Sequence, residues 1–362
     1  MRLGVAAALV DGRRVPGDVE IAGDRIAEVG LHGARRGLAA PGLVDLQVNG
    51  FAGIDFMSAD RDGYVRAGHA LLARGTTAYQ PTFVSAPEAE LVAALRALPL
   101  DAPGPLVLGA HLEGPFVSPR RLGAHPAGAQ RAPDLALLER LLAAGPVRHV
   151  TLAPELPGAL ELVDALVARD VVVAAGHTDA TAAEAHAAFD RGVRTVTHLF
   201  NAMRAPAPRD PGIALAALAR PDVAVQLIAD GRHLADETLL VAWRAAGGRL
   251  ALVSDAVAAA GMGDGEFTLA GRRVVSAGGA VHGPEGQLAG SAIALLDAVR
   301  HVHALGIPLE AALTAASAIP ARIARRPEFG RLAPGERADV VVLDDDLRVV
   351  RVLVAGAEHA AG

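Results

Sequence analysis

The sequence predicts an α/β protein, a (β/α)8 TIM barrel carrying a small β-sandwich domain assembled from both chain termini. Three observations predict it. Eight short apolar runs of strand character alternate with helical segments through the middle of the chain. Acidic, amide and histidine residues recur in or just after those runs, where a barrel gathers the carboxyl ends of its strands into one face. The two ends of the chain, by contrast, read as strand, turn and strand without helical periodicity.

Composition narrows the function classes. At 362 residues the chain can bury a barrel core and still support an appendage. With 34 Lys+Arg against 40 Asp+Glu the net charge is −6, so no basic surface invites nucleic acid or an anionic membrane. An anionic substrate must therefore be held by a local site. The chain has no cysteine, which rules out disulfides and thiolate ligands, leaves His, Asp and Glu for any metal, and fits a cytoplasmic location. No uncharged apolar run reaches the roughly 18 residues of a membrane span.

Taken in order, Leu3–Val10 after Arg2 has the outline of a short secretory signal. Asp11-Gly12 follows it directly as a hairpin turn, then a second β-like stretch, Asp18–Val29, so the run reads as a strand. Residues 1–38, with 330–362 from the far end, are expected to form the small β-domain, and 39–329 the barrel. The barrel strands are expected at Leu43–Val48, Thr76–Tyr79, Leu106–Ala110, Val150–Ala153, Val171–Ala175, Thr195–His198, Val223–Ile228 and Leu250–Ser254. Between them lie amphipathic helices, for example over Glu88–Leu98 and Thr181–Phe189. After Asp255 the pattern changes to a β-hairpin insertion near 266–289, and helix resumes from Ser291.

The strand ends carry the chemistry. His177 and His198 each close an apolar run, and two neutral imidazoles converging on a barrel mouth suit a divalent metal. Glu113, which closes another run before a glycine, is the best third ligand. Singly, such residues are more often structural; their joint occurrence with Asp45, Gln47, Asn49, Thr82, Glu155, Asp230 and Asp255 at successive strand ends is what points to a site. Three ligands leave a coordination position for water, whose pKa the metal lowers. Asp255 is placed to take and return a proton as general base and acid, although it also suits a helix N-cap. His125 is a candidate electrophile for a carbonyl oxygen.

Six segments then carry a resemblance: Pro41–Gly50 (PGLVDLQVNG), His111–Pro115 (HLEGP), Ala175–Thr178 (AGHT), Thr197–Met203 (THLFNAM), Ala229–His233 (ADGRH) and Val253–Ala256 (VSDA). Together and in this order they resemble the N-acetylglucosamine-6-phosphate deacetylases of the amidohydrolase superfamily. The resemblance implies hydrolysis of the N-acetyl amide of a phosphorylated amino sugar, with N-acetylgalactosamine 6-phosphate or another amide as the alternative substrate. It implies Glu113, His177 and His198 as metal ligands, Asp255 as acid/base and His125 beside the substrate carbonyl. Asn201, Ala202, Arg209 and His233 match substrate contacts, the arginine with the phosphate, which suits a guanidinium fork. Most of the superfamily carries His-x-His at the end of the first strand, where this chain has Gln47-Val-Asn49. Amides ligate transition metals poorly, so one divalent metal per subunit is expected, zinc first, with Fe2+, Co2+ or Mn2+ also accepted by such ligands, and Gln47 and Asn49 are left to meet substrate. Asp210 stands where the family often has Glu. A homodimer is implied, with some substrate contacts from the neighbouring subunit.

Overall fold

The structure, a computed structural model, describes residues 1–34 and 36–359. Eight parallel strands form the barrel: Leu43–Val48, Thr76–Val84, Ala110–Glu113, Val147–Leu152, Val172–Ala175, Thr195–Val196, Ala224–Ile228 and Leu250–Val253. Each pairs in parallel with the next, and the barrel closes where Val48 bridges Ala256 beyond the eighth strand. Helices pack outside. Ala182–Asp190, for instance, is opened by a capping box in which Thr181 and Glu184 satisfy each other's backbone N–H groups.

All eight expected strands are present, with shifted ends. The second runs on to Val84, five residues beyond Tyr79, because Pro81 interrupts the sequence pattern without interrupting the parallel pairing of its neighbours. The third is split into Leu106–Val107 and Ala110–Glu113, so that Glu113 belongs to the strand itself. At the ends of the fourth to sixth strands threonine side chains pack against the backbone of the fifth. A Cβ at Gly176 would lie 2.7 Å from Thr151 and 3.0 Å from Thr197, so only glycine fits before His177.

The termini build a second body. Ala7–Val10, Arg13–Pro16 and Leu38–Pro41 join Val340–Leu343, Val349–Val354 and Ala357–His359 in one six-stranded sheet. A hairpin of Asp18–Ala22 and Arg25–Leu31 covers it, and Val5, Val19, Ile26, Val340 and Leu353 are buried between the two layers. The expected strand at Leu3–Val10 is thus seated in this β-domain, with Leu3 and Val5 buried. After the eighth barrel strand, Gly265–Leu269, Arg272–Ala277, Ala280–His282 and Leu288–Ser291 form a four-stranded antiparallel excursion that returns to the barrel rim.

Candidate active site

Glu113, His177 and His198 meet in the barrel mouth. One carboxylate oxygen, Glu113 Oε1, lies 3.0 Å from His177 Nε2 and 2.9 Å from His198 Nε2, and the two nitrogens are 3.1 Å apart. All three side chains are buried. His177 Nδ1 lies 2.9 Å from the carbonyl of Arg121, which can only accept, so Nδ1 carries the proton and Nε2 turns its lone pair inward. Two imidazole nitrogens and a carboxylate oxygen crowded this closely need a cation among them, and nitrogen, nitrogen and oxygen donors suit a divalent metal. Glu113, His125 and His177 likewise present ligand atoms within 4.8 Å of one another, but His125 Nε2 faces the other oxygen, Glu113 Oε2, from 4.0 Å. Burial opposes the charge on Glu113, yet the surrounding His125, His177 and His198 rings hold its carboxyl well below the usual range.

The backbone is strained where these groups emerge. His177, His198 and Asp255 have φ of +48°, +30° and +50°, and Phe200 and Ala202 follow at +75° and +50°. Non-glycine residues in this region cost about 1–3 kcal/mol each, and such strain gathers at functional sites.

Asp255 lines the same cavity of about 260 Å³. Its Oδ1 accepts a 2.7 Å hydrogen bond from Asn49 Nδ2. Burial, reinforced by the Glu113 charge, pushes the Asp255 carboxyl up to about 7. His125 is pushed down to about 4, chiefly by burial and then by His177, and so is neutral. His233 is fixed by Asp230, which accepts from both its backbone N–H and its Nδ1, at 2.9 and 2.8 Å. Burial disfavours the charged ring, but the Asp230 carboxylate outweighs it and raises the His233 pKa.

The fold brings nine of the expected residues to one cavity: Asn49, Glu113, His125, His177, His198, Asn201, Ala202, His233 and Asp255. Gln47 and Arg209 are not among them. Asp45, Gln47 and Asn49 alternate onto the inner face of the first strand, so Gln47 lies one layer deeper than Asn49, fully buried, and does not line the cavity. Arg209 is exposed on the loop before Gly212–Ala219, where its neighbour Asp210 pairs with Arg204 at 2.6 Å. Glu155 braces a loop, accepting from Thr178 Oγ1 and Asp179 N at 2.6 and 2.7 Å. Sequence reasoning missed Ser85 and the wall supplied by the antiparallel excursion, Leu269, Gln287 and Leu288. It also missed the polar layer beneath, where His111 Nε2 is 2.7 Å from Thr151 Oγ1, itself 2.7 Å from Thr197 Oγ1. The motifs His111–Pro115 and Thr197–Met203 contained the signal for that layer.

A parallel eight-stranded barrel with a β-domain from both termini, and a carboxylate and histidines meeting at the strand ends, defines a hydrolase of the metal-dependent barrel type. The match to the amidohydrolase family model runs over residues 38–358, and the chain belongs to that family. It is 39% identical over 341 residues to N-acetylglucosamine-6-phosphate deacetylase of Homo sapiens, covering 88% of this chain and 82% of the relative. It is 37% identical to N-acetylgalactosamine-6-phosphate deacetylase of Escherichia coli O157:H7, covering 88% and 87%. Among solved structures it is similar to a variant of N-acetyl-D-glucosamine-6-phosphate deacetylase from Mycobacterium smegmatis in complex with N-acetyl-D-glucosamine-6-phosphate, with a TM-score of 0.94 and 36% identity over 99% of both chains.

Proposed function

We propose that this chain hydrolyses the N-acetyl amide of N-acetylglucosamine 6-phosphate, releasing acetate and glucosamine 6-phosphate. The observation that carries the reading is the convergence of Glu113 Oε1, His177 Nε2 and His198 Nε2 within 3.1 Å of one another, in one cavity with Asp255 and His125. Those three residues would hold one divalent metal, with zinc the preferred ion. Bound there, it supplies Lewis acidity, making water acidic and an amide carbonyl electrophilic.

The chain's own groups do the rest. Asp255 accepts the proton of the attacking water and delivers it to the amide nitrogen as the C–N bond breaks; a carboxyl with pKa near neutrality suits both directions. Asn49 keeps Asp255 oriented for that exchange. His125 stands to donate to the carbonyl oxygen as negative charge develops. His233, its Nδ1 committed to Asp230, has Nε2 free for a sugar hydroxyl. Asn201 and Ala202 would meet the phosphate, and Arg209, outside this chain's cavity, would reach the phosphate of a neighbouring subunit in a homodimer. The absence of cysteine supports a cytoplasmic enzyme.

The test is acetate release by zinc-reconstituted protein from N-acetylglucosamine 6-phosphate, from its galacto epimer and from the unphosphorylated sugar. Fast release only from the phosphorylated gluco sugar is expected. A higher kcat/KM for the galacto epimer would favour the second reading, which rests on relatives of both names at comparable identity. No release from any of them, with metal bound, would overturn both.

A further inference from the structure

Ser85 lies just past the second barrel strand, is fully buried, and makes no hydrogen bond to Glu113, His177 or His198 among the described residues. Its Oγ is 2.8 Å from His125 Nδ1, and its backbone N–H points at the same nitrogen from 3.3 Å. A backbone N–H can only donate, so Nδ1 must accept, and a ring nitrogen that accepts carries no proton. The proton of neutral His125 then resides on Nε2, the atom that faces Glu113 Oε2 from 4.0 Å and has no hydrogen-bond partner among the described residues. A protonated ring nitrogen cannot ligate a metal, but it can donate to an oxyanion. His177 is wired the opposite way, its Nδ1 donating to the Arg121 carbonyl and its Nε2 left with a lone pair. The space for the serine hydroxyl is made by Gly114, where a Cβ would sit 2.3 Å from Ser85 Oγ.

We propose that Ser85 is the positioning residue that sets the His125 tautomer, keeping this ring out of the metal's coordination and making it the donor to the substrate carbonyl. The inference rests on the deacetylase reading for its kinetic consequence but not for its tautomer. The tautomer is read directly by 15N NMR of histidine-labelled protein, metal-free and zinc-loaded, with the His125 signals identified by their loss in His125→Gln. Proton on Nε2 in both states is expected; proton on Nδ1, or a zinc-shifted Nε2, overturns the proposal whatever the activity. Ser85→Ala and the isosteric Ser85→Cys, a poor donor, should each lower kcat roughly 10–100-fold with KM within about threefold and zinc content unchanged, the scale typical of outer partners of a site. Their His125 signals should show a minor Nδ1-protonated population, since only the longer 3.3 Å contact from the backbone N–H then holds Nδ1 as an acceptor. Full kcat in Ser85→Cys overturns the positioning role. Should deacetylation fail altogether, the spectra of the wild-type protein still decide the tautomer.

Discussion

At the ends of the fifth and sixth strands, His177 and His198 leave the β region and turn their Nε2 atoms onto one oxygen of Glu113. At the end of the first strand the corresponding positions hold amides: Gln47 is buried below the cavity, and Asn49 donates to Asp255. The two sides of one rim thus divide the work. The histidine side collects lone pairs around a site for a cation. The amide side supplies a hydrogen-bond donor to Asp255, the carboxylate proposed to carry the proton. On the proposed reading the contrast accounts for a single metal, and it can be broken or sharpened at four positions.

The largest effect is expected on the histidine side. Glu113→Ala removes the shared carboxylate oxygen, so metal content should fall to background and turnover with it; full metal occupancy by elemental analysis would show that the ligand set is misassigned. Asp255→Asn should keep the metal and lower kcat by roughly 10²–10⁴-fold, since it removes proton transfer alone. Turnover near the original rate would remove Asp255 from the mechanism.

The same variant exposes the electrostatics of the metal-free protein. Burial and the Glu113 charge lift Asp255 from 3.8 to about 7, so its folded carboxyl keeps a proton that the unfolded chain releases near pH 4. That contribution is whole below about pH 4 and is lost as pH rises toward 7. The stability of metal-free wild type against denaturation should therefore fall relative to that of metal-free Asp255→Asn by roughly 2–4 kcal/mol as pH rises across this window. Parallel curves would mean that the carboxyl ionises normally.

On the amide side, Asn49→Ala should lower kcat by about 10–100-fold, the range for loss of a hydrogen bond to a charged group, with metal content intact. Loss of metal instead would place Asn49 among the ligands. The smallest effect is expected at Gln47, whose side-chain amide has neither atom hydrogen-bonded among the described residues. Gln47→Met should leave metal content and kcat/KM within about twofold and alter stability by no more than ~1–2 kcal/mol, in the stabilising direction, because an unpartnered buried amide is replaced by an apolar chain of similar length. A marked loss of kcat/KM would restore Gln47 as a substrate contact.

Much of this was legible in the sequence because barrel strands buried on both faces read as apolar runs, and the residue that ends such a run must lie on the rim. That reasoning reached Glu113, His177, His198 and Asp255 without any knowledge of distance. Strand ends were less legible. Pro81 hid the continuation of the second strand to Val84, and with it Ser85, because sequence periodicity registers a missing N–H but not whether the paired backbone continues regardless.

The sequence by itself determined the α/β class, the eight strands, the β-rich termini and the ligand types, since these follow from local periodicity and from the chemistry of single side chains. Only the tertiary structure decided depth and direction. It placed Gln47 beneath the cavity and Asn49 within it, left Arg209 exposed on its loop, and aimed the two nitrogens of His125 and of His177 at opposite kinds of partner. These outcomes depend on atoms far apart in the chain, Ser85 with His125 and Asn49 with Asp255, whose approach is set by barrel closure and which no local pattern encodes.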